Sequence, residues 1–216
     1  MIHYQAVIFD MDGVLVHSEP LHRQAYERLF AELGRADDHG VVYSDYYGRT
    51  DKSLLVDFIA RSGQAHDLDG LLRRKQELFL DYLLTHRPVF EELNTLLPEL
   101  AARCPLAVAS SSPHKVIDAV MEITRLRPHF KAIVGFEDFK NAKPDPEIFL
   151  TAARRLGAEP KRCVVIEDAV AGVTAAKAAG MTAIGFTTSL PAETLRKAKA
   201  DFTAENYGDI RNILLR

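Results

Sequence analysis

The chain has 216 residues, 47% hydrophobic and 26% charged, with 27 Lys and Arg against 30 Asp and Glu for a formal charge of −3. That is ordinary soluble globular composition, and without a basic surplus or a Lys/Arg run it argues against a nucleic-acid binder. An anionic small substrate stays open, because it needs only a few local cations. No apolar run approaches the roughly 20 residues of a membrane span, and "MIHYQAVIFD" reaches acidic residues too early for a signal peptide. The two cysteines, Cys104 and Cys163, have no metal or redox spacing and fit a reducing compartment. The expectation is a cytoplasmic protein, a monomer or small homo-oligomer.

In chain order the first element is "AVIFD" at 6–10, an apolar run that predicts a buried strand ending in Asp10, Asp12 and Gly13. The next seventy residues show helical patterns and no convincing strand. Ser18 is placed to cap a helix carrying Leu21, Ala25, Leu29 and Leu33, with Gly34 to end it. A second helix is expected from Thr50 or Asp51 to about Ser62, burying Leu54, Leu55, Phe58 and Ile59, and a third over roughly 67–85. In "VFEELNTLLPEL", Pro98 predicts either a kinked helix or one that starts late.

From there strands and helices alternate. "PLAVAS" (105–110), "AIVG" (132–135), "CVVIED" (163–168) and "TAIGF" (182–186) read as buried strands, with helices over 113–124, 145–156 and 170–180. The expected fold class is α/β: a Rossmann-like, doubly wound parallel sheet core with an inserted α-helical cap domain. The expected domains are a core of 1–16 and 88–216 and a helical cap of 17–87.

The chemistry-bearing residues follow the strands. Asp10 and Asp12 follow the first, Ser110 to Ser112 the second, Glu167 and Asp168 a later one. Parallel strands deliver their C-terminal ends to one edge, so these groups should converge. Carboxylates gathered at one point repel unless a cation sits among them, and hard oxygen donors without a His/Cys set point to Mg²⁺. The serines can cap a helix or bind phosphate through a hydroxyl and free N–H groups. Lys143, in "NAKPDPEIF", supplies a cation to offset phosphate charge. Asp10 leaves the strand first and is the candidate nucleophile; Asp12, two residues on, is placed to carry a proton to and from the leaving oxygen. A calcium loop is excluded, because Val14, Leu15 and Leu21 stand where it needs an oxygen ligand, glycine and glutamate.

"DMDGVL", "ASSS", "NAKPDPEIF" and "VIEDAVAGVTAAKAAGM" resemble, in order, the four motifs of the haloacid dehalogenase superfamily. The helical insertion after the first motif is similar to the cap of the β-phosphoglucomutase and phosphoglycolate phosphatase branch. The resemblance implies an Asp10 nucleophile, an Asp12 acid/base, and phosphate contacts from Ser110, Ser111 and Lys143. It implies Mg²⁺ held by the Asp10 side chain, the Asp12 carbonyl and Asp168, with Glu167 beside them. Dehalogenases of the superfamily lack the second aspartate and phosphonate-cleaving relatives replace it, so Asp12 favours phosphate-ester chemistry.

His22, in "HSEPLHRQAY", matches a position where capped members often carry His. Mutases of the branch place an Arg where "GRTDKS" has Asp51, although Arg49 stands two residues earlier. Arg49 is carried as a substrate contact. Lys52 and Lys75 are cap cations whose simplest reading is solvated charge, and His114 is placed to shape the substrate mouth. The expected function is a Mg²⁺-dependent phosphatase acting on a small phosphorylated metabolite such as a sugar phosphate. The alternatives are a phosphomutase and a non-catalytic ligand-binding protein.

Overall fold

The computed structural model describes residues 3–215. Six parallel strands form one sheet: β1 (Ala6–Phe9), β2 (Leu106–Ala109), β3 (Ala132–Val134), β4 (Cys163–Glu167), β5 (Thr182–Phe186) and β6 (Phe202–Ala204), in spatial order β3-β2-β1-β4-β5-β6. β1 is central, with Phe9 opposite Val108 on one side and Ile166 on the other. Strand side chains alternate between faces. Val7, Phe9, Val108, Ile166 and Ile184 enter one apolar cluster, and Ile8, Ala107, Ala109, Val165 and Ala183 enter a second. Both faces are covered, so these strands read as continuous apolar runs.

Four α-helices lie between β1 and β2, and the first three are α1 (Glu19–Glu32), α2 (Asp51–Ser62) and α3 (Leu68–His86). The Thr50 hydroxyl accepts from the Ser53 N–H at 3.3 Å, and Gly63 ends α2 in the left-handed region, as the sequence predicts. Ser18 differs from expectation. It stands at the N-cap of α1, but its hydroxyl bonds a carboxylate rather than a helix N–H. α4 (Leu93–Ala101) begins well before Pro98 and runs through it, which removes the late start. The remaining helices are α5 (His114–Thr124), α6 (Glu147–Leu156), α7 (Val170–Ala178), α8 (Ala192–Lys197) and α9 (Tyr207–Leu214).

β6 was not anticipated from the sequence. It is a three-residue edge strand whose Phe202 is exposed, so it carries no apolar run to detect. The C-terminal region returns to the centre of the molecule. Tyr207 of α9 packs on Phe90 and Phe186 and donates a hydrogen bond to the Val14 carbonyl, pinning the turn that follows β1. Among the described residues no helix is long and apolar enough to cross a membrane.

Candidate active site

The carboxyl ends of the three central strands meet. Lys143 is buried, and its Nζ donates to Asp10 Oδ1 at 2.5 Å and to Glu167 Oε1 at 2.6 Å. Burial opposes a charge on Lys143, but the two carboxylates outweigh it and hold its pKa above the usual lysine value. Asp10 sits well above the ordinary carboxylate range, because burial and the charges of Glu167 and Asp12 together exceed the help from Lys143. Asp168 is raised by burial and by its neighbours Glu167 and Asp10. Glycines make this crowding possible. A Cβ on Gly172 would fall 1.7 Å from Glu167 Oε1, and one on Gly13, at φ +72°, would fall 1.8 Å from Asp168 Oδ2.

Asp12 faces a different environment. Its Oδ1 accepts from Ser18 Oγ at 2.5 Å and lies 3.0 Å from His22 Nε2, and Ser112 Oγ is 3.4 Å from Oδ2. Burial alone would push Asp12 up, but His22, the Ser18 hydroxyl and Lys75 pull it down to about 2. Lys75 Nζ is 2.5 Å from His22 Nδ1 and donates to both oxygens of Asp51 at 2.7 and 2.9 Å. An ammonium has no lone pair, so Nδ1 accepts and the ring proton of His22 sits on Nε2, facing Asp12. Tyr26 donates to Asp51 Oδ1 at 2.6 Å and closes the chain.

The expectation of Lys75 as a solvated charge is therefore corrected: it is 1% exposed and lies over the rings of Tyr26 and Phe79. It occupies the apolar stripe of α3, one turn from Leu71 and from Leu78 and Phe79. A lysine on the buried stripe was the available signal. Ser18 and Asp51 belong to the same group, and neither was singled out for it.

A cavity of about 230 Å³ lies between the helical insertion and the strand ends. Asp10, Asp12, His22, Arg49, Lys52 and Ser111 line it. Glu19 also lines it, with its carboxyl raised by burial to about 7. Ser111 Oγ donates to the Gly48 carbonyl at 3.2 Å, tying the second strand end to the insertion. Ser110 is fully buried behind the cavity wall, its Oγ accepting the Ser112 N–H at 3.1 Å. His114 does not line the cavity; its Nε2 pairs with Asp138 at 2.7 Å, so the mouth-shaping role expected of it is not seen.

Asp10, Glu167 and Asp168 each offer an oxygen within 4.8 Å of one another. This hard, all-oxygen set suits Mg²⁺. Three buried carboxylates gathered around one lysine leave negative charge that such an ion would offset, so the residues present fit it.

A parallel sheet, a helical insertion over its carboxyl edge, and a buried lysine between two strand-end carboxylates define an enzyme of α/β fold with its site at the carboxyl edge of the sheet. The family is equally plain: the haloacid dehalogenase-like hydrolase family model matches residues 4–180, and the chain belongs to that family. It is 35% identical over 184 residues to a fructose-1-phosphate phosphatase of Escherichia coli, covering 84% of this chain and 95% of that one. It is 33% identical over 212 residues to a validoxylamine A 7'-phosphate phosphatase of Streptomyces hygroscopicus subsp. limoneus, covering 96% of both chains. A β-phosphoglucomutase structure from Clostridium difficile shares the fold, with a TM-score of 0.81 at 23% identity, covering 98% of this chain and 96% of that one.

Proposed function

We propose that this protein is a Mg²⁺-dependent phosphatase of small phosphorylated sugars or polyols that works through an aspartyl-phosphate. The observation that carries this reading is the contrast between the two aspartates. Asp10 faces Lys143 and the carboxylate group; Asp12, two residues on, faces Ser18 and His22. The lysine holds the Asp10 carboxylate at the strand end for attack, and the hydroxyl and imidazole hold a second carboxyl two residues away within reach for proton transfer.

In the first half-reaction an Asp10 oxygen bonds to phosphorus and the P–O ester bond breaks, with Asp12 delivering a proton to the departing oxygen. A phosphate dianion beside Asp12 favours its protonated form. In the second, water attacks phosphorus, the aspartyl–phosphate bond breaks, and Asp12 takes the water proton. Its low pKa in the structure is that of the carboxylate this step needs. Lys143 neutralises charge on Asp10 and on the transferring group. When bound at Asp10, Asp168 and the Asp12 carbonyl, with Glu167 beside them, Mg²⁺ would supply further charge neutralisation. Ser111, on the turn that Ser110 holds from behind, and the helix start after it are the phosphate side of the site, and Arg49 with His22 its cap side.

Residues 17–87 are read as the cap and 1–16 with 88–216 as the core. A cavity of about 230 Å³ accepts a sugar-sized group, and too little space remains for a protein or a nucleic-acid strand. The relatives named for fructose 1-phosphate, hexitol phosphate and validoxylamine 7'-phosphate hydrolysis support the polyol class. Asp51 speaks against a mutase: the position where that branch places an arginine holds a carboxylate already paired with Lys75. Buried free thiols at Cys104 and Cys163 suit a cytoplasmic setting.

The test is phosphate release from a panel of sugar and polyol phosphates with and without Mg²⁺. Asp10→Asn is expected to lose at least ~10⁴-fold in kcat. Full activity in that variant would refute the mechanism. Isomerisation of a hexose phosphate without free phosphate would make the protein a mutase.

A further inference from the structure

Beside the strand-end carboxylates lies a short loop, 187–190, that the mechanism above does not use. It leaves β5, whose Gly185 pairs with Glu167 of β4, so it emerges alongside Asp168. Two consecutive hydroxyls of this loop reach the site from one side. Thr188 Oγ1 donates to the Gly13 carbonyl at 2.6 Å. Ser189 Oγ donates to Asp168 Oδ2. The two anchors are themselves in contact: a Cβ on Gly13 would fall 1.8 Å from Asp168 Oδ2 and 3.1 Å from Ser189 Oγ.

We infer that Thr188 and Ser189 are positioning residues for the divalent-cation site, holding the Asp168 carboxylate and the turn at Gly13 at a fixed separation. The inference rests on the Mg²⁺ reading above. A carboxylate has two oxygens and can rotate. The Ser189 hydroxyl engages Oδ2, which fixes the plane of the group and leaves Oδ1 free for a cation. Thr188 acts on the other side. Its hydroxyl bonds the Gly13 carbonyl, one peptide on from the Asp12 carbonyl, and the Gly13 N–H of the Asp12–Gly13 peptide donates to the Val16 carbonyl at 2.8 Å, so the loop holds the turn that presents the Asp12 carbonyl. The loop thus links two donors that come from opposite ends of the chain, Asp168 and residue 12, through adjacent residues of a third segment.

Outer groups that orient metal ligands typically change metal affinity by about 10–100-fold. Binding of Mn²⁺, as a paramagnetic substitute for Mg²⁺, is measured by electron paramagnetic resonance on the full chain without substrate. Ser189→Ala is expected to raise the Mn²⁺ Kd about 10-fold, with Ser189→Thr restoring it and Thr188→Val giving a smaller rise. Thermal unfolding in EDTA is expected to match the parent. An unchanged Kd in Ser189→Ala overturns the inference while leaving the metal reading intact. A raised Kd accompanied by a lower Tm in EDTA also overturns it, since the role is then structural. If the parent chain itself fails to bind Mn²⁺, the metal reading falls and takes this inference with it.

Discussion

Two buried lysines, one in the core and one in the helical insertion, solve the same electrostatic problem in different ways. Lys143 joins carboxylates from two strand ends, Asp10 and Glu167, and its Nζ lies over Phe149. Lys75 joins Asp51 and His22, over Tyr26 and Phe79. Each ammonium is buried and paired with carboxylate, as a buried charge must be. The surroundings differ in what the acceptors can do. Around Lys143 the carboxylates outnumber the cation, so Asp10 and Asp168 are strained upward in pKa and ready for a second positive charge. Around Lys75 the charges balance, Asp51 is held below the ordinary carboxylate range, and the remaining influence passes through His22 to Asp12. The core cluster carries excess negative charge that a cation would offset; the insertion cluster is balanced and acts as a support.

Breaking the core lysine should have the larger effect. Lys143→Met leaves two buried carboxylates without their cation. Activity toward p-nitrophenyl phosphate is expected to fall by ~10³-fold or more. Loss of a buried partner is expected to cost roughly 3–5 kcal/mol in denaturant unfolding. A variant with near-parental kcat would remove Lys143 from the mechanism.

Lys75→Met should cost stability by a comparable order and activity by less, about 10–100-fold, because it acts on Asp12 from a distance, through its charge and through His22. The double variant Lys75→Met/Asp51→Asn sharpens the contrast. It no longer leaves a buried charge alone, so the unfolding midpoint should recover while kcat stays low. Parental kcat in the single variant would reduce the insertion cluster to packing.

A smaller effect, about 10-fold, is expected from His22→Ala. The carboxyl of Asp12 is held at about 2 in part by His22, so its removal raises that pKa. The acid limb of kcat/KM should therefore move to higher pH. The sign for stability follows: a depressed carboxyl stabilises the fold above its unfolded pKa, and that contribution is lost as the pH falls toward 2. An acid limb that does not move would separate His22 from Asp12.

The smallest effect concerns the cation proposed for the core cluster. Because Asp10 and Asp168 are raised, Mg²⁺ must displace protons, and its affinity should rise with pH. Proton release on adding Mg²⁺ in weak buffer checks this. Metal affinity independent of pH would argue that both groups are already ionised.

The two lysines also mark how far the sequence can be read. Lys143 stood in a loop motif beside strand ends, where a cation has few structural reasons to be, and it was legible. Lys75 sat mid-helix among other charges, and only its coincidence with Leu71, Leu78 and Phe79 on one face pointed inward. Ser18 misled for a related reason. A serine before a helix is usually a cap, but a carboxylate six residues back offered a stronger acceptor than a helix N–H. Ser110 and Ser111 were read together, yet the turn sends one behind the cavity and the other onto the Gly48 carbonyl.

The sequence by itself determined the sheet and the list of groups at its edge. Continuous apolar runs must be buried on both faces, and parallel strands so buried can only deliver Asp10, Ser110, Glu167 and Asp168 to one side. Tertiary structure decided the partners. Lys143 reaches Asp10 across 133 positions of chain and Thr188 reaches Gly13 across 175. Such contacts follow from how helices and loops dock on the sheet. Local propensity is silent on docking, so it could name the acids but not say which of them would be met by a cation, a hydroxyl or another acid.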